Sequence, residues 1–141
     1  MRDPAVMAFL RLARVLAKVE HRAQEALRRH GLSHAQFDVL AHVGAAEGIS
    51  QQALANSLLV TKGNVCQLLD RMEAQGLLER RPEGRSNRLF LTDHGHAIYD
   101  VVIPAHEAEV SAQFGALAPS EQEQLLTLLR RVDHSLAATR A

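Results

Sequence analysis

Residues 50–92 read SQQALANSLLVTKGNVCQLLDRMEAQGLLERRPEGRSNRLFLT, and the rest of the chain is organised around this stretch. Ser50 is a good helix cap, and Leu54, Ala55 and Leu58 then recur at helical spacing. A second start falls at Thr61, after which Val65, Leu68, Leu69 and Met72 form one apolar stripe. Gly76 suits the left-handed residue that commonly closes a helix, so the second helix is expected over 61–75. Small Ala55 sits where a bulkier side chain would hold the second helix away. Two short helices joined by a tight turn make a helix-turn-helix unit, whose second helix fits the major groove of duplex DNA. Leu59 stands in the turn, where many such units carry glycine.

The residues beyond Gly76 add an independent signal. Two short extended runs, Leu77 to Arg81 and Asn87 to Leu91, flank the turn Pro82-Glu83-Gly84-Arg85-Ser86, which predicts a β-hairpin. A hairpin directly after a recognition helix is a wing, with Arg85 at its tip set to meet a phosphate or the minor groove.

At this point the chain resembles the MarR family of bacterial winged-helix transcriptional regulators. The matching residues are Gly31 to Phe37 (GLSHAQF), Gln52 to Ala55 (QALA), Val65 to Leu78 (VCQLLDRMEAQGLL), Arg80-Arg81, Arg85-Ser86 and Leu91 to Gly95 (LTDHG). The likeness spans nearly the whole chain in the family's order of elements. Family wings usually carry an Asp-Arg pair near the tip; here Glu83, Gly84 and Arg85 stand nearest, in a wing a few residues shorter. The resemblance implies a single domain over 1–141, mainly α with a small β-wing. Its winged helix-turn-helix core covers about 33–92, and N- and C-terminal dimerisation helices cover about 4–30 and 93–138.

Bulk properties agree with one globular domain or one subunit of a dimer. The 141 residues carry no net charge, yet the charges are segregated. Residues 1–32 hold seven Lys/Arg against three acids, 61–92 hold six against four, and 93–141 hold three against seven. A chain basic around its motif and acidic elsewhere suits docking one face on a polyanion. No apolar run reaches membrane-spanning length and no signal peptide is apparent, so a cytoplasmic protein without a membrane partner is expected. One cysteine, Cys66, excludes an intrachain disulfide.

In chain order, Asp3-Pro4 starts a long helix that should end near His30. Its apolar positions Met7, Leu10, Val15, Leu16, Val19, Ala23 and Leu27 exceed what one small domain can cover, which predicts a partner chain. Ser33 caps a second helix ending between Gly44 and Gly48, and Ile49 is expected to add a minimal third strand to the hairpin. Thr92 caps a further helix that Pro104 should kink. In the last helix, with its stripe Leu125, Leu128, Leu129, Val132 and Leu136, Ala118 replaces the family's usual cap. Either that cap is lost or Ser120 takes the role, with Glu123 closing a capping box.

The candidate DNA contacts are Ser50, Thr61, Lys62, Gly63, Asn64, Gln67, Arg71, Arg81, Arg85 and Arg88. Asn and Gln pair bidentately with adenine, while Arg and Lys reach guanine or phosphate. The bland alternative for Arg80, Arg81 and Arg88 is exposed strand-edge charge, and Asp70 could pair locally with Arg71. Cys66 lies near a helix start, but a small semi-apolar residue beside the core stripe is the favoured reading. Eight histidines lack any ligand spacing for metal, so neither a metal nor another cofactor is expected. No nucleophile, base or paired-carboxylate set suggests an enzyme.

By resemblance, a small aromatic or phenolic effector would sit between the dimer helices and the winged lobe. Arg14, Phe37, His42 and Tyr99 are its candidate contacts, although packing explains them equally well. The expected function is thus a homodimeric, ligand-responsive repressor on a pseudo-palindromic DNA operator. The rivals are a small ligand- or metal-dependent enzyme on a helical dimer, and a winged-helix interaction module that does not bind DNA.

Overall fold

The computed structural model describes residues 2–58 and 62–138. Six helices and one hairpin follow the order α1 (Pro4–Arg29), α2 (His34–Ala45), α3 (Gln51–Leu58), α4 (Lys62–Ala74), β1 (Leu78–Glu83), β2 (Ser86–Leu91), α5 (Asp93–Gln113) and α6 (Pro119–Ala138). The chain divides into two units, residues 1–106 and 107–141.

Local hydrogen bonds explain the starts of these helices. The Asp3 carboxylate accepts from the Ala5 amide at 2.9 Å with Pro4 at the first helical position, which satisfies an otherwise orphaned donor. Ser33 and Gln36 form a reciprocal capping box on α2. Ser50 Oγ accepts from the Ala53 amide at 3.1 Å. Thr92 Oγ1 accepts from the Gly95 amide at 3.0 Å and donates its own proton to the Gly76 carbonyl. Gly76 itself has φ +75°, the left-handed conformation that closes α4 cheaply only in glycine.

In the first unit, Leu40, Leu54, Leu69, Met72, Leu78, Leu89, Val39, Val43 and Val65 are fully buried. They come from α2, α3, α4 and both strands, so the hairpin and the two short helices share one core. The hairpin pairs Leu78 with Leu91 and Glu83 with Ser86. The expected third strand is a single bridge, Ser50 to Arg88, flanked by backbone bonds between Leu89 and both Gly48 and Ile49. The first turn of α5 lies so close to the α4–β1 junction that a Cβ at Gly95 would stand 1.9 Å from the Leu77 carbonyl oxygen. α5 runs unbroken past Pro104.

In the second unit, Gln122 Nε2 donates to the Phe114 and Leu117 carbonyls, both at 3.1 Å, and so closes the turn ahead of α6. α6 begins at Pro119, and the Ala118 amide donates to Glu121 Oε1 at 2.8 Å. The side-chain cap is therefore lost, as the first alternative expected, and the second is corrected, since Ser120 lies inside the helix. Ala118 keeps the cap position despite lacking a hydroxyl, and Glu121 rather than Glu123 reaches back, because its side chain is one turn from the open amide.

Candidate nucleic-acid interface

The amphipathic stripe of α4 decides which of its residues face outward. Val65, Leu69 and Met72 are wholly buried, and helical geometry then places Asn64, Gln67, Asp70 and Arg71 on the opposite, exposed side. α3 lies against α4 with Ala55 buried. At the crossing, Gln51 Nε2 donates to Cys66 Sγ at 2.9 Å. Of the predicted contacts, Thr61 lies outside the described residues, and Lys62 and Gly63 are described by their backbone alone.

The wing arginines have different surroundings. Arg85 occupies the two-residue turn after Gly84 and is exposed. Arg81 places its guanidinium 3.9 Å from the Phe90 ring centre, while its Nε donates to Glu79 at 2.6 Å. Arg88 donates to Glu83 at 3.1 Å and to the Gly48 carbonyl at 3.3 Å. Both can still present charge outward, but each is already engaged within the lobe.

Arg80 departs furthest from its sequence reading. An exposed edge charge was one expectation, yet its side chain is only 19 % exposed. Strand alternation explains why: Arg80 lies two residues from buried Leu78, on the same inward face. Its Nη2 donates to Asp70 Oδ1 and, at 3.0 Å, to Glu73 Oε1; its backbone amide donates to Glu73 Oε2 at 3.2 Å. Hydrogen bonds from Arg80 hold the Glu73 carboxyl below its usual range, and those to Glu73 and Asp70 raise the Arg80 guanidinium further. Asp70 therefore pairs across to the wing, and the local Asp70–Arg71 pairing is replaced. The clue available in sequence was a charged residue at an inward strand position.

The four effector candidates have separate neighbours. The Phe37 ring stacks on His106 with centres 4.4 Å apart. Tyr99 lies against the α2 backbone at Gly44, where an added Cβ would come within 2.2 Å of its ring. His42 Nδ1 donates to the Asp38 carbonyl at 2.7 Å, and Arg14 is exposed on α1. A separate cleft of about 510 Å³ opens where α1 meets α2, lined by Leu27, Arg28, Leu32, Gln36 and Gln75 among others, and none of the four candidates lines it. Among the described residues no group of three or more His, Cys, Asp or Glu is placed to hold a metal ion, and no helix is long and apolar enough to cross a membrane.

A helix pair with a buried inner stripe and an exposed polar rim, followed by a hairpin sharing its core, defines a winged helix-turn-helix DNA-binding protein. Comparison with known proteins places it more narrowly. Residues 30–88 match the model of the MarR family. A Bacillus cereus HTH-type transcriptional regulator is 31% identical over 135 residues, covering 94% of this chain and 92% of the relative. The crystal structure of AbsC, a MarR family transcriptional regulator from Streptomyces coelicolor, superposes with a TM-score of 0.87 at 24% identity, covering 98% of this chain and 97% of that one. MepR of S. aureus, solved as a DNA complex, shares the fold at a TM-score of 0.82 and 19% identity, over 96% of this chain and 99% of that one. The chain belongs to the MarR family and is a DNA-binding transcriptional regulator.

Proposed function

We propose that this regulator is a cytoplasmic, homodimeric repressor that acts without catalysis. It would bind a pseudo-palindromic operator with half-sites about 10 base pairs apart, one helical turn. In this reading residues 1–141 work as one functional domain, with a DNA-binding lobe over about 33–92 and dimerisation helices over about 4–30 and 93–138. The observation that carries it is the rim of α4, where Asn64, Gln67 and Arg71 are exposed over a fully buried stripe. Asn64 and Gln67, with Thr61, Lys62 and Gly63 at the helix start, read base edges. Ser50, Arg71, Arg81, Arg85 and Arg88 meet phosphate, Arg85 from the wing tip.

Dimerisation is supported by apolar faces that each unit leaves open. On α1, Phe9 is 66 % exposed and Leu16 55 %; on α6, Val132 is 59 % and Leu136 63 % exposed. Apolar area of this extent on regular helices marks an interaction surface. Ligand responsiveness is typical of the family. A small aromatic or phenolic acid would meet Arg14, Phe37, His42 and Tyr99, and would relieve repression by favouring a spacing of the two α4 helices that no longer fits the operator. That shift requires unequal affinity for the two spacings.

The test is selection of bound duplexes from a random-sequence pool, followed by protection mapping on the winners. Two symmetric protected half-sites about one turn apart are expected. A single asymmetric footprint would overturn the homodimeric operator model, and failure to enrich any duplex would overturn this assignment of the DNA-contacting rim.

A further inference from the structure

The geometry points to Arg80 as the positioning residue that locks the wing to the recognition helix and screens two acids of that helix from DNA. This rests on the reading of α4 and the wing as the two DNA-contacting elements. Asp70 and Glu73 are three residues apart on α4, on the flank facing β1, and a carboxylate on a helix seated in a polyanion groove opposes binding. Arg80 neutralises both. It also ties them to the strand by main chain and side chain together, since Glu73 accepts from the Arg80 amide through one oxygen and from its guanidinium through the other. Such a charge-assisted fork fixes direction as well as distance.

The other two paired wing arginines cannot substitute. Arg81 binds Glu79 within the hairpin, and Arg88 binds Glu83 and the Gly48 carbonyl ahead of α3, so neither ties the wing to the recognition helix. Arg80 alone of the three crosses to α4. The wing tip, Arg85, lies five residues further along the hairpin, up to about 16 Å of extended chain. A small rotation about the Arg80 anchor therefore displaces Arg85 by several times the tolerance of a hydrogen bond. The shared core fixes the base of the hairpin, and Arg80 sets the angle at which Arg85 reaches its phosphate.

The test is a double-mutant cycle on the duplex that the wild-type protein enriches from a random-sequence pool. Arg85→Ala alone should weaken binding about tenfold or more. In an Arg80→Ala background it should change affinity by no more than about twofold, the limit expected when the contact is already lost. Circular dichroism and thermal unfolding of each variant check the fold, and a merely structural role would leave the two effects independent. Should Arg80→Ala fail to fold, Asp70→Asn combined with Glu73→Gln removes the anchors while keeping Arg80, and the same loss of the Arg85 effect is expected. Equal Arg85→Ala effects in both backgrounds would overturn the proposal. If the wild-type protein enriches no duplex, the underlying reading of the interface fails instead.

Discussion

α1 and α4 are both amphipathic helices, yet they bury themselves to opposite extents. α1 has 26 residues and buries only Ala23 and Leu27, while Val6, Met7, Phe9, Leu10, Leu12 and Leu16 are exposed. α4 has half that length and sinks Val65, Leu69 and Met72 completely, leaving a polar rim. One helix is finished by its own chain and open to a polar partner; the other is unfinished and open to an apolar one. The difference separates two binding events on chemical grounds, because an apolar face wants another apolar face and a rim of amide and cationic groups wants base edges and phosphate.

Truncations on the two helices test that contrast, and the largest effect falls on the finished one. Leu69→Ala should cost about 2–5 kcal/mol of folding stability in denaturant titrations. Next, Leu16→Asp should leave secondary structure intact and move the protein toward monomer in sedimentation, weakening self-association by about 2 kcal/mol or more if this face is the interface centre. An unchanged sedimentation profile would remove α1 from the dimer contact. Gln67→Ala should cost about 1–3 kcal/mol of operator affinity and relax preference at one base position, read by binding to single-substitution duplexes. Arg85→Ala should weaken binding to all duplexes and lower the salt slope by about one unit.

The smallest effects are pH-dependent and carry opposite signs. Glu73 is held below its ordinary value of 4.5 by Arg80, so its contribution is present above that pH and fades as pH falls through the lowered value. Glu73→Gln should therefore lower the melting temperature at pH 7, with a deficit that shrinks as pH falls below 4.5. Asp38 is pushed above its ordinary 3.8 by partial loss of water, an effect that His42 and His34 oppose. Its ionised form is disfavoured in the fold, so stability is greater below pH 3.8 and declines as pH rises through the raised value. Asp38→Asn should raise the melting temperature at pH 7 and leave it unchanged at pH 3.

Much of the fold was legible because its punctuation is local. Asp3, Ser33, Ser50 and Thr92 cap helices through atoms two or three residues away, a reach that sequence spacing encodes directly. The stripe of α4 was legible for the same reason. What sequence could not show are partners brought together by tertiary packing. Gln36 stood in sequence only within the run Gly31 to Phe37, with no partner indicated, yet it is buried and donates to Gln75, 39 positions away. Phe37 meets His106 across two helices, and Arg80 finds its acids on the far side of a turn. Local rules placed the candidate contact residues on their elements; their electrostatic support depended on how those elements dock.

The joint at Gly76 and Leu77 has a mechanical consequence. Thr92 hydrogen-bonds the Gly76 carbonyl through its side chain and the Leu77 carbonyl through its amide, at 3.1 Å for the latter, and Gly95 leaves no clearance above Leu77. The base of α5 and the tail of the recognition helix therefore turn as one lever. Over the ~20 Å length of a 13-residue helix, a tilt of about 10° sweeps the far end about 3 Å. That is close to the ~3.4 Å axial rise per nucleotide of one DNA strand.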